Sequence, residues 1–228
     1  GLSDSWDRWY ARECRPDVHL DQVKFYSDYV KKYLSDETRN VAFVLDKCIK
    51  IDDAYYSPDQ EKVYDCLLYS KKRRYDYNFE SFRNDLIEMI KSENITFTEI
   101  KAGKFGSYER KDYFDALNKS RVMINLSLDE CPGILNYESM FMNVPVIGSP
   151  HNVPINSDSR LHVLGTDYMT DEYLVRNNNA AIKYFEKIKE CLSDKKILSK
   201  VNHRKWILNH TNFDKYADNV YKILESIK

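Results

Sequence analysis

Between Val63 and Gly148, short apolar runs alternate with stretches whose apolar residues recur at helical spacing. That alternation restricts the fold more than any single motif. VYDCLLYS (63–70) and RVMINLS (121–127) read as buried strands and ITFTEI (95–100) as a strand. Between them, Phe79, Phe82, Leu86, Ile87 and Ile90 fall on one helical face behind a candidate cap, Asn78, and ERKDYFDALNKS forms a second amphipathic stretch. A helix over 133–143 and a strand over 144–148 follow, then a short strand near Leu161–Leu164. Helical patterns run from about Asp171 to Cys191 and through ILSKVNHRKWILNHT and FDKYADNVYKILESI. Strands alternating with helices predict an α/β fold with a doubly wound parallel sheet.

The front of the chain is less regular. QVKFYS reads as a strand, DYVKKYL as a helix and NVAFVLDKCIKI as one or two strands, with DDAYYSPDQEK as a linker. Three segments are expected: 1–60 as a reduced or truncated element and linker, 61–210 as the α/β domain, and 211–228 as a C-terminal helix packing back on the front.

In open parallel sheets, ligands sit outside the carboxyl ends of the strands near a topological switch. Three loops leave such ends here: KKRR after 63–70, AGKFGS after 95–100 and SLDECPG after 121–127. A charge run is usually a solvated face, but cations at the carboxyl end of a central strand can meet a diphosphate. If side chains alternate, Lys71 and Arg73 point to the site and Lys72 and Arg74 to solvent. Gly103 and Gly106 mark either an ordinary turn or a loop bordering the base or sugar, with Tyr108 as its stacking candidate. Glu130 lies in the third loop and Glu138 inside the helix that Gly133 opens. A helix N-terminus binds anions through unpaired N–H groups, and a carboxylate a turn further in can reach neighbouring hydroxyls.

Composition removes several other readings. Lys and Arg total 35 against 36 Asp and Glu, for a formal charge of −1, so no global field argues for nucleic acid or a membrane surface. No apolar run approaches the roughly 20 residues of a membrane span. The five cysteines are scattered and without C-x-x-C pairs, which disfavours a disulfide framework or structural zinc and points to a reducing, cytoplasmic setting. The histidines show no metal-ligand spacing; His151 alone falls near the expected rim. G-x-G-x-x-G is absent after the first strand, against a dehydrogenase-like dinucleotide site.

The segment ECPGILNYESMFMNVPVIGSP resembles the donor-site signature of GT-B retaining glycosyltransferases of family four, in which two glutamates with seven residues between them bracket a Gly-containing helix start before a V-P-V-I strand. DYFDALNKSRVMINLS and VNHRKWILNHTNFDKYADNVYKIL are similar to the flanking segments of that family, so the likeness runs from about Val23 to Leu224. The resemblance implies a Rossmann-like GT-B donor domain. It implies that Glu138 holds the ribose hydroxyls and that backbone amides at Gly133, Ile134 and Leu135 take the diphosphate with Lys71 and Arg73. Glu130 is then the catalytic residue beside the donor sugar, and Gly106 lies in a donor-binding loop. It further implies no metal and no cofactor beyond the nucleoside-diphosphate sugar, which is the donor substrate.

Three departures from that family stand out. YSKKRR lacks the glycine of the usual phosphate motif, one βα unit is missing between 100 and 109, and only about 60 residues precede the linker. The expected function is sugar transfer from a nucleoside-diphosphate sugar to a glycan or other hydroxyl acceptor. The alternative is a non-catalytic nucleotide-sugar-binding module, or a donor domain belonging with other domains of a longer protein.

Overall fold

The structure is a computed structural model that describes residues 19–21, 42–44, 51–72, 78–102, 108–127, 134–148, 163–165, 169–170, 175–176, 179–193, 202–210 and 213–226. The expectations for 1–17 and for DYVKKYL lie outside these residues. Strands β1 (His19–Asp21) and β2 (Ala42–Val44) form a separate parallel pair. The main sheet contains β3 (Tyr64–Ser70), β4 (Phe97–Lys101), β5 (Ser120–Asn125), β6 (Val146–Gly148) and β7 (Val163–Gly165), all parallel, in the order β4-β3-β5-β6-β7.

Burial explains the apolar run of β3. A parallel sheet is covered on both faces, so successive side chains must enter two cores. Leu67 and Tyr69 join one cluster and Cys66 and Leu68 the other. The register keeps the faces matched: Leu67 lies beside Met123 in the first core and Leu68 beside Ile124 in the second.

Six described helices cover the sheet or extend from it: α1 (Phe79–Ser92), α2 (Arg110–Asn118), α3 (Ile134–Phe141), α4 (Ala180–Ser193), α5 (His203–His210) and α6 (Phe213–Ser226). On the Cys66 face, α1 buries Phe79, Phe82, Leu86 and Ile90, and α4 buries Ala180, Tyr184, Ile188 and Cys191. Phe82 and Tyr184 meet edge to face, with ring centres 5.2 Å apart. A fully buried Leu or Ile is worth about 1.5–3 kcal/mol relative to exposure. The other face is covered by α2, α3 and α5, through Tyr113, Phe114, Leu117, Leu135, Tyr137, Met140, Trp206 and Ile207. No helix among the described residues is long and apolar enough to cross a membrane.

Two local expectations change. The stretch after Asp171 does not continue as helix throughout: β8 (Met169–Thr170) and β9 (Val175–Arg176) pair antiparallel, and α4 begins only at Ala180. The run Asn177 to Asn179 accounts for this, because asparagine side chains compete for backbone groups and favour caps and turns over helix interiors. The Lys183 amide reaches the Asn179 carbonyl at 3.1 Å. Asn78 does precede α1, but its side chain makes no cap hydrogen bond; its carbonyl accepts from the Phe82 amide.

The segment read as a linker is docked on the domain. Asp52 caps a 3₁₀ turn at Asp53–Tyr55 through the Ala54 amide. Asn118 then receives the Ser57 amide and donates to the Tyr55 carbonyl, at 3.2 and 2.8 Å, while Tyr55 stacks on Phe114.

Candidate functional site

The strand order creates one switch. From β3 the chain crosses to β4 on one side, then returns over β3 to β5 on the other. β3 is followed by α1 on one face of the sheet and β5 by α3 on the other, the arrangement that in parallel sheets places ligands at the carboxyl ends between the two strands. Lys71 follows β3 at this end and Asn125 ends β5. The N-terminus of α3 follows in the chain.

The carboxyl ends of these strands are tied together by backbone hydrogen bonds. The Leu126 amide donates to the Tyr69 carbonyl at 2.9 Å, and the Ala102 amide to the Ser70 carbonyl at 2.9 Å, so the first residues beyond β5 and β4 remain tied to β3. Asn125 turns the chain beyond β5. Its Oδ1 accepts the Ser127 amide and its Nδ2 donates to Asn136 Oδ1 in the first turn of α3, each at 3.0 Å and fully buried. The end of the central strand is thereby fixed to the helix that follows.

Glu138 lies in α3 at 1% exposure. Oε1 accepts from Arg110 Nη2 at 2.8 Å, and Arg110 stands at the first position of α2 with its side chain 52% exposed. Oε2 is buried and has no hydrogen-bond partner among the described residues. Burial pushes the Glu138 carboxyl above the ordinary value of 4.5, while the Arg110 charge and the Tyr108 hydroxyl act in the opposite direction. A buried carboxylate with one oxygen ion-paired and the other bare is expensive unless a further donor completes it. Oε2 can accept from an N–H or O–H donor brought to it.

A second polar network supports the root of the basic loop. Glu99 on β4 accepts a fork of two hydrogen bonds from Arg83 on α1 and one from Ser70 Oγ, with Lys101 Nζ at 3.8 Å. Burial alone would raise this carboxyl, but the bonds from Arg83 and Ser70 and the charges of Arg83 and Lys101 outweigh it and hold it below the ordinary range. Ser70 immediately precedes Lys71, so the network anchors the strand end from which KKRR departs.

The expected site residues divide as follows. Lys71 is half-buried at the carboxyl end of β3, and the neighbouring Lys72 is exposed. Ile134, 47% exposed, and Leu135, buried, form the first turn of α3, with Glu138 one turn on. The Leu135 carbonyl accepts from the Tyr113 hydroxyl at 3.2 Å. Arg73, Gly106, Glu130 and Gly133 lie outside the described residues, as do Gly103 and His151. Tyr108, read as a stacking candidate, packs edge-on against Tyr69 and Tyr113, with ring centres 5.8 and 5.2 Å away.

Sequence reasoning passed over Arg110, Asn125 and Asn136. Arg110 is 28 residues from Glu138 on another helix, and no local spacing links them. Asn136 did carry a signal: a buried amide within ILNYESMF, two residues before the glutamate, demands a polar partner nearby.

No protein-family model matches the sequence, and no curated protein matches it significantly. Solved structures do. A TarM variant from S. aureus, in complex with Fondaparinux, alpha-GlcNAc-glycerol and UDP, aligns at a TM-score of 0.64 and 13% identity over 98% of this chain and 46% of its own. The pneumococcal O-GlcNAc transferase GtfA, in complex with UDP and GlcNAc, aligns at 0.62 and 11% over 98% of this chain and 48% of its own. The chain has a GT-B glycosyltransferase-like fold. A glycosyltransferase from Rickettsia africae also aligns, at 0.57 and 13% identity over 98% of this chain and 67% of its own. The chain spans about half the length of TarM and GtfA.

Proposed function

We propose that this chain is a glycosyltransferase that moves a sugar from a nucleoside-diphosphate sugar to a glycan or other hydroxyl acceptor, with retention and without a metal ion. The observation that carries the reading is Glu138: a buried carboxylate at the switch of a GT-B-like sheet, with Oε1 paired to Arg110 and Oε2 lacking a partner among the described residues. Glu138 accepts from ribose hydroxyls. The diphosphate meets the amides at Gly133, Ile134 and Leu135 at the start of α3, where the helix dipole favours negative charge. Lys71 and Arg73 add fixed cations, and Gly106 lies in the loop along the base or sugar.

Glu130 is the residue beside the transferred sugar. There the bond from C1 to the diphosphate oxygen breaks, a bond from C1 to the acceptor oxygen forms on the same face, and the acceptor's hydroxyl proton passes to the departing diphosphate oxygen. Fixed cations and helix amides stabilise the charge that develops on the leaving diphosphate, which is the role a metal plays elsewhere. The acceptor surface belongs to other parts of a longer protein or to the segment before residue 61.

A second reading is a module that holds a nucleotide or its sugar without catalysis; it is supported by the half-length match to the aligned structures. Titration calorimetry with UDP, GDP and ADP, followed by donor-hydrolysis and transfer assays, separates the two. The enzyme reading expects one diphosphate to bind, Glu138→Ala to weaken binding, and Glu130→Ala to lower turnover. Binding without hydrolysis or transfer favours the module, and transfer undiminished in both variants sinks the assignment of these glutamates.

A further inference from the structure

Glu138 faces an unusual set of neighbours for a group so deeply buried. From α2 and the residues before it come Arg110 and Tyr108, while the Tyr113 hydroxyl is turned to the Leu135 carbonyl. α5 packs against α3 and carries His203, which is buried, and Arg204, which binds the Phe141 carbonyl at the opposite end of α3. Arg121 on β5 is turned to Asp65, and β6 has no ionisable residue. Among the described residues Arg110 is the cation ion-paired with the carboxylate, at Oε1, and the Tyr108 hydroxyl acts on the same carboxyl.

We propose that Arg110 is a positioning residue of the donor site: it locks Oε1 of Glu138 and thereby presents Oε2 as the one acceptor for a ribose hydroxyl. The inference rests on the nucleotide reading of the site given above. Three observations support it. The contact spans two helices, so it fixes the carboxylate plane relative to both α2 and α3. The guanidinium is itself steadied 5.3 Å over the Phe114 ring, one turn further along α2. Finally, a half-exposed Arg can remain charged while the carboxylate is dry, so the pair keeps Glu138 ionised at small cost to itself.

The consequence is a site whose affinity depends on the ionised fraction of one carboxyl. With Arg110 present, Glu138 is charged to lower pH and accepts the ribose hydroxyl. Without it, burial acts unopposed by the cation, the proton stays on to higher pH, and the acceptor is lost over that interval.

The test uses the full chain with selectively ¹³C-labelled glutamate, comparing wild type, Arg110→Gln and Arg110→Lys. The Glu138 carboxyl resonance, assigned by its absence in Glu138→Gln, is followed with pH in the unliganded protein. Binding of UDP, GDP and ADP is measured in parallel by calorimetry. In Arg110→Gln the Glu138 titration is expected to move upward. The affinity of whichever diphosphate binds wild type should fall about tenfold one pH unit below the variant's measured Glu138 titration and return to within about threefold of wild type one unit above it, since the loss follows the ionised fraction. Arg110→Lys should recover most of the affinity at the lower of these pH values. A Glu138 titration unmoved by Arg110→Gln overturns the proposal, whatever the nucleotide does. An upward titration with an affinity loss equal at every pH overturns it too, because the contact is then merely structural. If wild type binds none of the three diphosphates, the nucleotide reading fails and takes this inference with it; an upward titration in that case marks the pair as a core ion pair.

Discussion

The guanidinium of Arg204 lies 4.0 Å from the centre of the Phe141 ring and also donates to the Phe141 carbonyl at 3.0 Å. On its other side the Tyr56 ring centre is 3.9 Å away, and Asp53 accepts from Nη2. One side chain thus joins the segment 52–57, the carboxyl end of α3 and α5. A planar, weakly hydrated cation suits this position because it can stack and donate at once.

Replacing Arg204 with Ala should lower stability by about 2–4 kcal/mol, from two cation–π contacts and a stranded carbonyl. Lys should recover less than half, since an ammonium cannot stack between two rings while bonding a carbonyl in the plane. Urea unfolding followed by circular dichroism checks this. A Lys variant as stable as wild type would show that charge alone holds the segment.

Glu138→Gln should separate stability from binding. The folded-state value of Glu138 is raised above the ordinary 4.5, so its favourable contribution is complete below that value and is lost as pH rises through the folded value. An amide of the same shape carries no such loss. The variant should therefore gain stability relative to wild type between pH 4 and pH 8, while binding its nucleotide at least about tenfold more weakly because a charged acceptor is gone. Thermal melts at the two pH values, with calorimetry at neutral pH, provide the comparison.

Asp65 and Glu99 carry the opposite sign. Burial would raise Asp65, but hydrogen bonds from the Thr96 amide and hydroxyl and from Arg121 prevail, and both carboxyls are held below their ordinary values of 3.8 and 4.5. Their stabilisation is full above those values and is lost as pH falls through the lower folded ones. Melting temperature should drop steeply below about pH 4.5, and Glu99→Gln should flatten the upper part of that drop. The variant should also be less stable at pH 7, because Arg83 loses its charged partner. An acid limb with the same slope in the variant would place the acid sensitivity elsewhere.

The apolar runs and helical patterns read from the sequence were enough to place β3 to β6 and α1 to α3, because strands covered on both faces are continuously apolar and α1 and α2 bury a face that their own spacing records. The stretch 171–179 misled because a helix and a short antiparallel pair can both accommodate its apolar residues, and only the asparagines argued otherwise. In the candidate site, what was legible was placement: Glu138 one turn into a helix and Lys71 just past a strand end, because a helix start and a strand end are local features. Arg110 was not legible, since what selects it is the arrangement of two helices 28 residues apart in sequence, and neither was the Arg83–Glu99–Ser70 network, for the same reason.

Asn136 tests whether the buried amide pair serves the site or only the core. Asn136→Ala leaves Asn125 Nδ2 without its acceptor in a fully buried setting, which should cost about 1–3 kcal/mol. If that were all, the ligand affinity of the folded fraction would be unchanged. Asn125, however, also holds the Ser127 amide, at the point where the chain leaves β5 toward the first turn of α3. Loosening Asn125 frees the entry to that turn, whose amides must hold their direction to bind an anion, so binding of the nucleotide should weaken about three- to tenfold at temperatures where the variant remains fully folded. Calorimetry well below the variant's melting temperature, paired with urea unfolding, decides between the two. Full affinity with reduced stability would show that the asparagine pair is core structure alone.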